Sequence, residues 1–139
     1  MLPRIPAATH SRNGEGGLKP FVTVNQALRQ IPRGAPNHNI DELREKNEPP
    51  WDGNSILPRA MTCSGGQNYH PSGKRDFTER EYAVLQGFPP NHVFKGSYVR
   101  KQIGNAVPPS VAKVLFESIK RDLNRSDGFE EETETLFID

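Results

Sequence analysis

The chain has 139 residues, enough for one small domain, but only 33% of them are hydrophobic, and 13 prolines and 12 glycines interrupt regular structure. At this size such a composition does not support a well-filled core, so it favours an incomplete unit that needs a partner surface. The single cysteine excludes an internal disulfide and a cysteine-rich zinc site, and without an apolar run of membrane length no membrane partner is expected.

Charge is distributed unevenly along the chain. The formal net charge is +1, yet the last fourteen residues carry six carboxylates and no basic side chain. Without these six charges, residues 1–125 carry +7, which suits a polyanion as partner. An ordinary solvated surface of mixed charge is the alternative, and charge alone does not decide between them. Residues 126–139 are predicted to form an acidic disordered tail.

The first helix signal follows a connector. Residues 1–22 are rich in Pro, Gly and polar side chains, which predicts an extended segment rather than a helix. Thr23 and Gln26 fit a capping box, in which each side chain accepts a hydrogen bond from the other residue's backbone amide. This pattern predicts a short helix over 24–30, ended by the Ile31-Pro32 pair.

The middle of the chain is less regular, because residues 33–58 contain four prolines. Its one helical candidate is the polar stretch Ile40–Lys46. Ile56–Cys63 is predicted to form a short strand that leads into the glycine-containing loop 64–68.

A second helix signal is stronger. Thr78 and Glu81 form another capping box, and aromatic residues at the flanking N′ and N4 positions suit a hydrophobic staple. A helix is therefore predicted over about 79–86. Gly87 suits a left-handed C-terminal cap, and Pro89-Pro90 prevents the helix from continuing.

The last predicted helix begins near Pro108 or Pro109, where a missing amide is harmless, and runs to about Leu123. Its apolar residues repeat at three- and four-residue spacing and form one stripe. They are Val111, Ala112, Leu115, Phe116, Ile119 and Leu123. Since the chain offers only one other clear short amphipathic helix, the stripe is expected to pack on a sheet elsewhere.

Two segments carry a family resemblance: RDFTEREYAVLQGFP at 75–89 and KQIGNAVPP at 101–109. They closely resemble the ninth and tenth motifs of cytosine-5 DNA methyltransferases, and their order, separation and following helix also match. The resemblance covers most of residues 3–123. It implies an α/β fold, with this chain an incomplete piece of a Rossmann-like, S-adenosylmethionine-dependent methyltransferase, made mostly of loops, short helices and a few short strands.

The resemblance also implies an organisation into four parts. These are a connector (1–22), part of a target-recognition region (23–74), the ninth and tenth motifs with the helix that returns to the catalytic domain (75–125), and the acidic tail (126–139). The family's glycine-rich loop, Pro-Cys nucleophile, Glu-Asn-Val and Gln-x-Arg-x-Arg motifs are missing, and in the family all precede the point where this chain begins. The chain is therefore expected to be a truncated product or gene model, a split subunit or a fragment.

The tenth motif supplies the residues expected to contact the cofactor. Gly104 allows close backbone approach to a ligand, Asn105 offers an amide, and Val107 offers an apolar wall. In the family this segment, which includes Ala106, helps to enclose S-adenosylmethionine. Without the ninth motif, Gly-Asn would be interpreted as a turn and Pro-Pro as a helix start.

Residues expected to contact duplex DNA lie before and within the ninth motif. The segment 62–69 resembles the family's recognition loop, where amides and hydroxyls can bond base edges or phosphates and glycines permit close approach. The candidates are Thr62, Gly65, Gly66, Gln67, Asn68, Arg75 and Arg80. An ordinary flexible hairpin is the alternative for the loop. For Arg75 the resemblance favours holding the recognition region over reading bases, and a phosphate contact by either arginine is a further hypothesis.

No catalytic or metal-binding residue is predicted in this chain. Cys63 follows Thr62 inside the recognition region, whereas the family nucleophile follows a proline far upstream, so an inert thiol is expected. The four histidines show no ligand spacing.

The predicted function is that of the C-terminal part of a DNA (cytosine-5-)-methyltransferase, inactive alone, which reads the DNA target and completes the S-adenosylmethionine pocket. Its expected partners are duplex DNA and the missing N-terminal catalytic part, in cis or in trans. The alternative is a non-catalytic DNA-binding or scaffolding remnant that acts with a partner chain. The wording of 62–71 and the acidic tail favour a fungal, nuclear enzyme, while a bacterial one would be cytoplasmic.

Overall fold

The computed structural model describes residues 4–64 and 67–128. Within these residues it contains four α-helices and two short strands joined by loops and turns. The elements are β1 (His10–Ser11), β2 (Lys19–Pro20), α1 (Val24–Leu28), α2 (Glu79–Leu85), α3 (Val99–Asn105) and α4 (Pro109–Ser126). The prediction of a chain made mostly of loops with short helices is confirmed.

The N-terminal segment is more than an extended connector. Strands β1 and β2 pair in parallel, with His10 opposite Lys19 and Ser11 opposite Pro20. Between them a 3-10 turn spans Glu15–Gly17, and three glycines around it adopt positive φ. Because glycine reaches this region without steric cost, residues 10–20 close into a small loop that the composition did not predict.

Helix α1 confirms the first capping box. The hydroxyl of Thr23 accepts from the amide of Gln26 at 3.3 Å, and Gln26 Oε1 accepts from the Thr23 amide at 2.9 Å. The helix ends at Leu28, two residues before the predicted end. Beyond Leu28, the amides of Gln30 and Ile31 still donate to the carbonyls three residues earlier. The pattern stops there because Pro32 has no amide hydrogen to donate.

Both predictions between residues 40 and 63 are wrong. Only the start of Ile40–Lys46 turns, with the Leu43 amide bonded to the Ile40 carbonyl. Glu45 then forms an antiparallel bridge with Arg75, and the Lys46 amide donates to the Lys74 carbonyl at 2.7 Å. Ile56–Cys63 contains no strand. Pro58 lacks an amide, and no described residue pairs with the segment as a strand. Leu57 and Met61 pack against the core instead, whereas Ile56 is exposed.

Helix α2 has the predicted capped start and glycine end. Thr78 and Glu81 form the capping box, and the rings of Phe77 and Tyr82 meet edge to face at 5.5 Å. At the other end the amide of Phe88 donates to the Ala83 carbonyl and that of Gly87 to the Val84 carbonyl, the Schellman arrangement. Gly87 has a φ of 88°, as its predicted role requires.

Helix α3 was not predicted. Val99 and Ile103, one turn apart, are both buried in the core, and the interpretation of Gly104-Asn105 as a turn is wrong, because these residues form the last turn of α3. No side chain caps its first turn, and Tyr98 before it adopts a left-handed φ of 58°. A tertiary contact rather than a local signal therefore stabilises this helix.

The core lies where α2 packs against α1 and α3. Its buried residues are Val24, Phe77, Tyr82, Ala83, Val99 and Ile103. Helix α4 is placed differently. It extends the predicted Pro109 start to Ser126, and five of the six stripe residues, all except Ala112, are among the exposed large hydrophobics.

Candidate functional site

The ninth motif is built around an ion pair. Arg75 donates two parallel hydrogen bonds to the Glu81 carboxylate, at 2.7 and 2.9 Å, and the Thr78 amide donates a third at 2.8 Å. Burial opposes ionisation of Glu81, but the bonds from Arg75 and Thr78 outweigh it and hold its pKa below the ordinary value. The pair therefore joins the residues before α2 to the helix itself.

This geometry argues against the predicted contact of Arg75 with DNA. Its guanidinium is largely buried and is bound to Glu81 and to the Asp76 carbonyl, so it does not present donors to a phosphate. The role that the resemblance implies for Arg75, holding the recognition region, stays a prediction; the structure shows Arg75 linking the segment before α2 to that helix. Nearby, burial and the charge of Arg75 lower the pKa of His70.

Burial argues against the hypothesis that Arg80 contacts phosphate. Arg80 is fully buried, and it donates to the backbone carbonyls of Pro36, Pro90 and His92 at 3.0, 3.2 and 2.8 Å. Its guanidinium also lies 5.6 Å from the centre of the Phe94 ring. Arg80 thus links two loops, one at Pro36 and one at Pro90 and His92, to α2. Its sequence position in a short helix gave no sign of this buried role.

Gln86, at the C-terminal end of α2, is hydrogen-bonded to the tenth motif. The side-chain amide of Gln86 donates to the carbonyls of Ile103 and Ala106, at 3.2 and 2.9 Å. These bonds satisfy the Ala106 carbonyl and add a second donor to the Ile103 carbonyl, which also accepts from the Ala106 amide. Gln86 is a positioning residue that was missed, because a glutamine at a helix end has no distinctive sequence signal.

The predicted cofactor residues lie at and just after the end of α3, mostly at the surface. Asn105 is exposed, Val107 is 60% exposed, and Ala106 is half-buried. A groove of about 540 Å³ lies between α1, α2 and the start of α4, and its lining includes none of the residues 104–107. Asn105 and Val107 therefore stay predicted cofactor contacts, with an amide and an apolar side chain at the surface.

Gly104 does not present its backbone to open space. A Cβ atom at this position would lie 2.5 Å from Cys63 Cα and 2.6 Å from the Thr62 carbonyl carbon. Gly104 does permit a close approach, but its neighbour in this structure is the backbone of the predicted recognition loop at Thr62 and Cys63.

The predicted recognition loop contributes unequally to the surface. Thr62 and Gln67 are exposed; the Thr62 and Ser64 hydroxyls lie 3.2 Å apart, and Gln67 bonds the Arg59 guanidinium. Gly65 and Gly66 lie outside the described residues. Asn68 is only 5% exposed and donates to the Arg59 carbonyl at 3.1 Å, so its burial argues against the predicted contact with DNA.

Cys63 has a contact that its sequence position does not reveal. Its thiol is exposed and donates to Asn105 Oδ1 at 2.7 Å. The described residues contain no cluster of three potential metal ligands. Over the same ranges, no helix combines the length and the apolar character that crossing a bilayer requires.

Comparison with known proteins places these motifs in a family. The family model for C-5 cytosine-specific DNA methylase matches residues 8–121. The chain is 34% identical over 178 aligned positions to the type II methyltransferase M.NgoFVII of Neisseria gonorrhoeae, covering 98% of the chain and 48% of that relative. It is also 30% identical over 160 positions to M.BbvI of Brevibacillus brevis, covering 88% and 41%.

A plant relative shows the same likeness over a shorter stretch. The DNA (cytosine-5)-methyltransferase 1B of Oryza sativa subsp. japonica is 41% identical over 75 positions, which are 50% of this chain and 5% of the relative. No solved structure matches. The chain spans about half the length of the bacterial relatives or less. Since the family model covers most of its residues, the protein belongs to the C-5 cytosine-specific DNA methylase family.

Proposed function

We propose that this chain is the C-terminal part of a DNA (cytosine-5-)-methyltransferase, where it contributes to target recognition and completes the S-adenosylmethionine pocket. The observation that carries the proposal is the arrangement around α2. The ion pair of Arg75 and Glu81 fixes the segment that follows the recognition loop, while Gln86 fixes the tenth motif. Helix α2 thus connects the loop proposed to face DNA with the segment proposed to face the cofactor.

The exposed face of α4 supports the C-terminal placement. Phe116 is 70% exposed and Leu123 is 58% exposed, although the apolar spacing of this helix is that of a buried one. An exposed apolar stripe on a small chain marks a surface that another body covers. An upstream catalytic part, in the same chain or supplied in trans, would cover it.

In the proposed enzyme the bound cofactor supplies the methyl group that cytosine C5 receives. This chain's own residues position the reactants. Asn105 would hold a polar group of the cofactor through its amide, and Val107 would exclude water from its apolar part. Thr62 and Gln67 would contact the duplex, since both side chains are exposed and carry hydrogen-bonding groups.

Reconstitution tests the proposal directly. The chain would be combined with the upstream catalytic half of the enzyme, and transfer of a tritiated methyl group to duplex DNA would be measured for each part and for the mixture. We expect transfer only from the mixture, since no nucleophile motif lies in this chain. Methyl transfer by the chain alone, lost in Cys63→Ser, would refute the assignment of catalysis to the upstream half.

A crossed pair of variants tests the two roles in the complete enzyme. Asn105→Ala removes one hydrogen-bonding amide, which typically costs about 0.5–1.5 kcal/mol, so the cofactor dissociation constant should rise several-fold. Gln67→Ala should leave cofactor affinity alone and reduce discrimination between DNA sites. Asn68 is left intact because it is buried. The opposite pattern of effects would exchange the two assignments.

A further inference from the structure

The recognition loop and the tenth motif touch through their backbones at Gly104. The atoms nearest to a Cβ built there belong to the backbone of Thr62 and Cys63, at distances too short for real atoms. A flexible side chain could swing away, but a backbone cannot. Gly104 therefore lets two segments 42 residues apart in sequence pack directly against each other.

A side-chain contact joins the same two segments. The Cys63 thiol donates to Asn105 Oδ1 at 2.7 Å. The orientation of the Asn105 amide thus depends on a residue of the loop, and the amide is the group proposed to face the cofactor. The backbone and side-chain contacts together form the junction, defined here as Thr62 and Cys63 against Gly104 and Asn105.

The two sides of the junction differ in how firmly they are held. On the α3 side, Ile103 is only 1% exposed and its carbonyl accepts from Gln86, so the helix end is anchored in the core. On the loop side, Thr62 and Ser64 are exposed. A displacement of the loop would therefore change the contact with Asn105 before it disturbed the body of α3.

We propose that this junction couples DNA binding to cofactor binding, so that occupation of the recognition loop changes cofactor affinity through Cys63 and Gly104. The inference rests on the proposed function and adds a regulatory contact to it. Coupling between two sites is reciprocal, so the cofactor changes DNA affinity by the same factor. Cys63 acts here as a positioning residue and takes no part in bond formation.

The test uses the complete enzyme and S-adenosylhomocysteine as the probe, titrated by calorimetry without DNA and with a saturating cytosine-containing duplex. The ratio of the two dissociation constants measures the coupling. We expect a ratio clearly different from 1 in the wild type, and a ratio close to 1 in Cys63→Ala and Gly104→Ala. Cys63→Ser keeps a donor and should retain most of the wild-type ratio. Circular dichroism checks that each variant is folded.

The outcomes separate the inference from the proposed function. A wild-type ratio of 1, or a wild-type ratio preserved in Cys63→Ala, would overturn the coupling while leaving the two binding roles intact. Failure of the wild type to bind either probe would overturn the proposed function itself.

If the complete enzyme binds neither probe, the contact between Cys63 and Asn105 can still be tested in the isolated chain. In the 139-residue chain, whose only cysteine is Cys63, Asn105→Ala should increase the rate of alkylation by N-ethylmaleimide severalfold, because the thiol loses its acceptor. An unchanged rate would show that the contact does not exist.

Discussion

Helices α2 and α4 differ in how much of their surface is buried. Five of the seven residues of α2 are buried, including the charged Arg80 and Glu81, and both of its ends are capped within the chain. Of the eighteen residues of α4, only Ser118 is buried, and its hydroxyl donates to the Arg4 carbonyl. The shorter helix is complete in this structure, whereas the longer one presents an apolar face that no other described element covers.

The comparison teaches that burial, and not length or amphipathic pattern, identifies the structural centre of this chain. The buried charged residues of α2 are stabilised by hydrogen bonds to neighbouring groups, with Arg80 Nη2 as the one buried polar side-chain atom of the described residues that has no hydrogen-bond partner. The apolar pattern of α4 is regular, yet it stabilises nothing until a surface packs against it. Four substitutions, with expected effects that decrease from Arg80 to Phe116, test this difference.

Arg80→Ala should cause the largest loss of stability. It leaves the carbonyls of Pro36, Pro90 and His92 without their donor and opens a cavity beneath α2. Since each unsatisfied buried group costs about 1–3 kcal/mol, we expect a loss of at least about 3 kcal/mol in urea unfolding. Arg121→Ala, on the exposed surface of α4, is the matched control and should change stability by less than about 0.5 kcal/mol. Equal effects would contradict the contrast between the helices.

Glu81→Gln should reduce stability at neutral pH by about 2 kcal/mol, because the charge-assisted bonds from Arg75 weaken. Because folding lowers the pKa of Glu81, its ionised form stabilises the fold above the unfolded-state pKa of about 4.3, and this contribution is lost as pH falls through the lower folded-state value. Acid titration of wild type and variant should therefore show stabilities that converge below about pH 4.3. Parallel curves over that range would disprove the role of the carboxylate.

Gln86→Ala should cost about 1–2 kcal/mol, since two carbonyls at the end of α3 lose one shared donor. Gln102 offers a matched control. Its amide also donates to two carbonyls, those of Lys95 and Ser97, but the bonds are exposed and water can replace them. Thermal unfolding of both variants should show the larger shift for Gln86→Ala. A larger shift for Gln102→Ala would place the anchor of α3 at its start instead.

Phe116→Ser should have the smallest effect on the chain itself. The ring is 70% exposed, so its loss should change the stability of the chain by less than about 0.5 kcal/mol. In the reconstituted enzyme the same change should weaken association of the two parts at least tenfold, because a large buried aromatic side chain contributes roughly 1.5–3 kcal/mol. Lys120→Ser is the exposed polar control. Association that is indifferent to Phe116→Ser would assign the stripe to another partner.

Local chemistry accounts for the elements that were predicted correctly. The capping boxes at Thr23 and Thr78, the left-handed Gly87 and the proline start of α4 each depend on residues within one or two turns. The failures lie where distant residues decide. The end of Ile40–Lys46 bonds to the backbone of Lys74 instead of forming a helix. Helix α3 forms because Val99 and Ile103 pack in a core that α1 and α2 help to build.

The candidate site divides along the same line. The sequence by itself determined the two motifs, their order, the family they belong to and the apolar stripe of α4, since these depend on residue type and spacing. Only the tertiary structure decided which polar residues face outward: it buried Arg80 and Asn68, committed Arg75 to Glu81, and brought Cys63 to Asn105. The physical reason is that a hydrogen bond or a buried charge is satisfied by whichever group lies within about 3 Å, and the chain path, not the local pattern, places that group.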